Sequence, residues 1–231
     1  MRTRFLPLPS VLALAICAFA ACAATVQAKS IDPALLAKAQ AGDAAALVRL
    51  GNAYNYGRHG AKQDYAQALI WYRKGAEQGD ANSQFQLGGL YHFGHGVPQD
   101  DAQGFAWIMK AAEQGHIDAE FFISVSFAQG WGVTSDAAQS VVWLRKAAEQ
   151  GDARSQFYLG MDYQNANGVR QNYTEAYFWL DLASSGEDTR RKRKEALKRR
   201  NECASHLVPA ELLNIQERVQ KWLEEHPSGV Q

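Results

Sequence analysis

The chain has 231 residues, with 24 lysines and arginines against 24 aspartates and glutamates, and 47% of it is hydrophobic. That length supports a continuous buried core. The even charge balance argues against a protein whose affinity rests on neutralising nucleic-acid phosphates, so no nucleic-acid partner is expected.

The first residues read as a targeting segment. Met1-Arg2-Thr3-Arg4 is short and basic, Val11 to Ala21 is apolar and uncharged, and Val26-Gln27-Ala28 puts small or apolar residues at −3 and −1 before Lys29. This pattern predicts a secretory signal peptide over residues 1–28. Its apolar run is short for a membrane span of about 20 residues. Phe19-Ala20-Ala21-Cys22 also admits a lipoprotein signal with Cys22 as the lipidated residue, and an uncleaved anchor is a third alternative. Cleavage after Ala28 takes two of the 24 basic residues and none of the 24 acidic ones, leaving a net charge of −2. Cys17 and Cys22 leave with the segment, so Cys203 stands alone and no intramolecular disulfide can form. The expected location is periplasmic or secreted, with no transmembrane segment after cleavage.

Residues 29–42 read as a capping half-unit, with Asp32 at a helix N-cap and Pro33 at the first helical position, where its missing N–H costs nothing. Residues 43–186 then repeat. Trp71, Trp107, Trp143 and Trp179 stand 36 residues apart, and Ala76-Glu77-Gln78-Gly79-Asp80 recurs as Ala112-Glu113-Gln114-Gly115-His116 and Ala148-Glu149-Gln150-Gly151-Asp152. A fixed period in the range of roughly 20–50 residues is the mark of a stacked array. In the second unit Ala81 to Phe93 carries Phe85, Leu87, Leu90 and Tyr91 at helical spacing. Gly94-His95-Gly96-Val97-Pro98 breaks that helix. Asp100 supplies an N-cap, Asp101 to Gln114 forms a second helix, and Gly115 ends it. The first unit has one extra residue near Arg58 or His59. Small residues at Gly51, Gly88, Ser124 and Gly160 let paired helices approach, with Trp or another large residue filling the space beside them. Beyond the array, residues 187–226 read as a charged helix followed by an amphipathic one over Pro209 to Glu225, and 227–231 as a disordered tail.

The run Leu87-Gly88, Tyr91, Gly94, Gly96-Val97, Asp100, Trp107, Lys110-Ala111-Ala112, Gly115 resembles the Sel-one-like repeat, a relative of the tetratricopeptide repeat. The resemblance covers about residues 43–186 four times over. It implies an all-α, right-handed α-solenoid of antiparallel helix pairs with capping helices at both ends. The third unit departs most, with Ser124 for Gly, Phe127 for Tyr and Trp131 in its loop; the fourth has Ala166 at the first loop glycine. The family generally serves in adaptors, which implies a protein or peptide partner and no cofactor.

The four tryptophans read as core rather than as a ligand-stacking row. Burying one removes on the order of 200 Å² from water, worth roughly 5 kcal/mol before entropy, so Trp107→Ala is expected to cost roughly 3–5 kcal/mol. Gly94-His95-Gly96 and Gly130-Trp131-Gly132 lack the third glycine and the preceding strand of a dinucleotide fingerprint, and serve turns. His59, His92 and His95 read as exposed loop residues rather than a metal set, because a zinc site needs three or four ligands converging at about 2 Å. Ser-x-x-Lys, Gly-x-Ser-x-Gly, His-Glu-x-x-His and Cys-x-x-Cys signatures are absent from the sequence, and so are the paired repeat cysteines of relatives associated with penicillin binding. A β-lactamase-like or peptidoglycan-acting enzyme is therefore the disfavoured alternative.

The expected binding surface is the concave side lined by the first helices. The positions whose chemistry varies from unit to unit there are Asn52, Asn55, Gln86, Gly89, His92, Phe122, Val125, Tyr158, Met161 and Gln164, with Trp131 as a loop anchor. The alternative is that several of them pack between units. The basic run around Arg191 and Lys194 reads as a solvated face, or as a contact for an acidic partner or an anionic envelope component.

Overall fold

The computed structural model describes residues 30–186 and 190–227. The expected signal peptide with Cys17 and Cys22 lies outside the described residues, as does most of the expected tail. Eleven helices fill the described residues: α1 (Pro33–Gln40), α2 (Ala44–Tyr56), α3 (Tyr65–Glu77), α4 (Ala81–Phe93), α5 (Asp101–Glu113), α6 (Ile117–Gln129), α7 (Ala137–Glu149), α8 (Ala153–Asn165), α9 (Tyr173–Gly186), α10 (Arg190–Ala204) and α11 (Pro209–Glu225). Each packs chiefly on its neighbours in sequence, and α11 turns back onto α9. The result is an α-solenoid in which α2–α3, α4–α5, α6–α7 and α8–α9 are successive pairs.

The helix ends follow from side-chain chemistry that repeats with the units. Asp43, Asp80 and Asp152 accept from backbone N–H groups at the starts of the first helices α2, α4 and α8, and His116 does so for α6. Asp64, Asp100 and Asp136 do the same for the second helices α3, α5 and α7, and Asn172 accepts from the Glu175 N–H in α9. Each first helix stops at a left-handed residue, which is Gly57, Gly94 and Gly130 in turn and then Ala166, at φ 58°. At Ala166 a side chain occupies a backbone region that glycine takes without steric cost.

The second glycine of the loop answers a contact between units. A Cβ on Gly96 would stand 2.7 Å from the Tyr65 carbonyl carbon, one on Gly132 2.0 Å from the Asp101 oxygen, and one on Gly168 2.1 Å from the Ala137 oxygen. Tyr65, Asp101 and Ala137 open the second helices of the preceding units. Each loop thus lies on the backbone of the unit before it, at a distance only glycine permits.

Within each pair the structure decides between tryptophan and another large residue. The large residue against the small helix glycine is the one after the tryptophan. A Cβ on Gly51 would meet the Tyr72 ring at 2.4 Å, one on Gly88 the Ile108 side chain at 2.4 Å, and one on Gly160 the Leu180 side chain at 2.7 Å. Trp71, Trp143 and Trp179 are buried, whereas Trp107 is only half-buried. Lysines one turn on lie over three of the indoles, Lys74 on Trp71 at 4.7 Å, Lys110 on Trp107 at 4.0 Å and Lys146 on Trp143 at 3.7 Å. These contacts combine apolar cover with cation–π attraction.

A polar thread also joins the units. Buried Gln84 and Gln156 donate to the carbonyls of Ala76 and Ala148, which end the preceding second helices. Gln114 donates to Gln84 at 2.7 Å, and Gln150 to Glu120 at 2.8 Å. The bonds from Gln84 and Gln156 add a second donor to helix-end carbonyls that already accept the Gly79 and Gly151 N–H groups. At the C-terminal end α9 is almost wholly inside, covered by α10 through Ala196 and Cys203 and by α11 through Ile215 and Val219. Arg200 bonds Asp181 at 2.6 Å, and Arg218 bonds Glu175 at 2.6 Å while lying 3.8 Å over Phe178. The two helices thereby close the stack, which an array needs to avoid exposing its last apolar face. None of the described helices is long and apolar enough to cross a membrane.

Candidate functional site

The first helices lie side by side along one face. Ring contacts bridge them: His92 of α4 meets Phe122 of α6 at 5.1 Å, and Phe121 of α6 meets Tyr158 of α8 at 5.9 Å. Between α2, α4 and α6 this face opens into a cavity of about 380 Å³. Asn55, Gln86, Gly89 and Phe122, all expected on sequence grounds, line it together. Tyr56, Tyr65, Phe85, Phe93 and His95 complete an aromatic wall that the sequence reading missed. Tyr56 is 51% exposed and Phe93 63% exposed, unusual for large apolar side chains with a core close by. The signal was available. Each stands directly before the helix-ending glycine, where the later units carry Gln129 and Asn165.

The remaining expected residues divide. Asn52 is half-buried, and its Oδ1 accepts the Tyr72 hydroxyl at 2.6 Å. Burial, with Tyr56 nearby, pushes the Tyr72 phenol well above the usual tyrosine range, so it stays a neutral donor. His92 is tied to the next helix of its own unit, with Nδ1 2.8 Å from an Asp101 carboxylate oxygen. It also packs against the Trp131 ring at 5.0 Å. Trp131, expected as a free loop anchor, is 37% exposed and also meets Phe122 at 6.0 Å. It therefore extends the aromatic wall from the next unit. Val125 and Met161 are half-buried, while Tyr158 is 47% exposed. Gln164 is engaged by the cap, donating to Glu202 at 3.2 Å and accepting from Arg199 at 3.5 Å, so α10 covers the face at this end. The structure brings the expected residues together most fully over the first three units.

Among the histidines, His95 stacks on Tyr65 at 4.3 Å, while His59 lines a separate cavity beside Arg49 and Arg58. The described residues contain no group of three or more His, Cys, Asp or Glu side chains placed to hold a metal ion. Burial pushes the Cys203 thiol up to about 11, that of an unreactive core residue. The basic run divides in two. Arg199 bonds Glu195 at 3.1 Å and Arg200 bonds Asp181, whereas Arg191 and Lys194 lie exposed on α10.

Stacked helix pairs with a repeated loop and an open first-helix face define a helical-repeat interaction scaffold. The chain belongs to the Sel1 repeat family, whose profile matches residues 44–80, 81–116, 117–152 and 153–188. Sel1 repeat proteins are generally protein-interaction scaffolds, and the repeat is a non-enzymatic fold. The structure is similar to the crystal structure of a Sel1 repeat protein from Oxalobacter formigenes, with 27% identity, 72% of this chain and 74% of that one covered, and a TM-score of 0.61. It is also similar to a protective antigen present in uropathogenic Escherichia coli strains, with 30% identity and a TM-score of 0.49. That likeness covers 83% of this chain but 48% of the antigen, so the chain spans about half its length. No curated protein matches the chain.

Proposed function

We propose that this protein is an adaptor of the bacterial cell envelope that holds a segment of a partner protein against its first-helix face. The observation that carries this reading is the aromatic cavity. Tyr56, Phe93 and Phe122 come from three consecutive units and surround one opening, and two of them remain more than half exposed. A groove of this kind suits an amphipathic helix or an extended segment. The basic n-region, apolar run and small residues before Lys29 support an envelope location. The exposed Arg191 and Lys194 support a second, salt-sensitive contact with an acidic partner.

The test is recovery of partners from envelope extract by wild type and by a Tyr56→Ser, Phe93→Ser variant, with Val142→Ser as control. Val142 is 47% exposed on the second helix α7. Loss of a partner by the first variant alone is expected. Equal recovery by all three would refute the groove, and covalent labelling of the protein by a penicillin would refute the scaffold reading.

A further inference from the structure

We infer that the N-terminal end of the groove is built for an acidic segment, with a bulky apolar side chain in the aromatic cavity and a neighbouring Asp or Glu side chain on Arg49 and Arg58. The inference rests on the groove reading above and names the chemistry of its occupant. A second cavity, of about 340 Å³, adjoins the aromatic one, and Tyr56 lines both. Its chemistry is different. Arg49 and Arg58 both line it and both are exposed. Neither forms an ion pair among the described residues, although Arg58 lies 5.3 Å over the Tyr56 ring. Asn52 lines the same space; with its Oδ1 taken by Tyr72, its amide hydrogens meet no acceptor among the described residues.

Two guanidinium groups and an amide donor at one opening form a donor set suited to a carboxylate. One carboxylate is already present, that of Asp32, and it is committed to capping α1 through the Ala34 N–H at 2.9 Å. The arginines therefore outnumber the acid of their own cavity. Several arginines elsewhere pair internally with carboxylates: Arg154 with Asp118 and Asp152, Arg199 with Glu195, Arg200 with Asp181, and Arg218 with Glu175. Two left without a carboxylate beside an exposed aromatic wall make a charged subsite next to an apolar one. A partner side chain of either type alone would leave half of the surface unmatched. Charge complementarity of this kind governs which segments are accepted and how fast they associate.

A phage-displayed random peptide library selected on the purified chain tests this. Enriched peptides are then synthesised with amidated C-termini, so that only side-chain carboxylates remain. Their affinity is measured for wild type, Arg49→Glu/Arg58→Glu and Tyr56→Ser/Phe93→Ser, using variants whose thermal melts match the wild type. The expected result is enrichment of Asp or Glu near Phe, Leu or Trp. Affinity should fall at least about tenfold in each variant and weaken with rising salt. Apolar peptides without acidic enrichment, bound equally by the arginine variant but lost by the aromatic one, would overturn this inference and leave the groove reading standing. Selection of no peptide that depends on either pair would overturn both.

Discussion

Gly132 and Gly115 offer the same substitution in nearly the same backbone, with different surroundings. Gly132 has φ +70° and Gly115 φ +81°, so alanine at either position occupies the left-handed region at a cost of about 1 kcal/mol. At Gly115 an added Cβ meets nothing within 4 Å. At Gly132 it would stand 2.0 Å from the Asp101 oxygen, 2.5 Å from its carbonyl carbon and 2.9 Å from the Phe105 Cβ. Backbone cannot swing aside as a flexible side chain can, so the loop must lift off α5, at an overpacking cost of about 1–3 kcal/mol. Gly115→Ala should therefore cost about 1 kcal/mol and Gly132→Ala about 2–4 kcal/mol. Urea unfolding followed by far-UV circular dichroism measures both. Lifting the loop also moves Trp131 away from His92 and Phe122, so the native tryptophan fluorescence should change in Gly132→Ala and not in Gly115→Ala. Equal costs, to within about 0.5 kcal/mol, would refute the claim that the second loop glycine exists for contact between units.

Three further outcomes follow from the structure. Burial raises the Glu120 carboxyl above the ordinary glutamate value, against the pull of the Gln150 amide and the Lys146 charge. Its stabilising share is thus complete below the ordinary glutamate pKa and is lost as pH rises through the folded-state value. Glu120→Gln, which copies Gln84 and Gln156, should raise the unfolding midpoint at neutral pH and give no gain in acid; a loss at neutral pH would contradict this. Ala166→Gly should stabilise by about 0.5 kcal/mol, the relief of left-handed strain less the added chain entropy, and a drop in urea midpoint would count against it. Trp179→Ala should cost about 3–5 kcal/mol, and Trp107→Ala less, because Trp179 is 3% exposed and Trp107 only half-buried. Thermal melts with Trp107 the costlier would reverse that order.

The repeating parts of this protein were legible in the sequence because each is set by local chemistry. An Asp before a helix, a glycine after it and apolar residues at helical spacing act within a few residues, and here they act several times over. What joins one unit to the next was less legible. The pairing of Gly88 with Ile108 rather than Trp107, and the packing of Gly132 on Asp101, depend on how two helices are rotated about their axes. Spacing alone does not give that rotation. Tyr56 and Phe93 close their helices, where helical spacing does not mark them, and only the stacking of units brings them to a cavity with Phe122. Gln164 has the register of the exposed face, but α10, which falls beyond the last repeat, engages it.

The central claim is that the first-helix face holds the partner. The most direct measurement places a photo-reactive phenylalanine analogue at Phe93 or at Val142, both exposed but on first and second helices respectively. Irradiation in intact cells and analysis of the adducts then reads out which face is occupied. The account predicts a discrete adduct with one partner protein from position 93 and none from position 142. The same adduct from both positions, or from 142 alone, would contradict it.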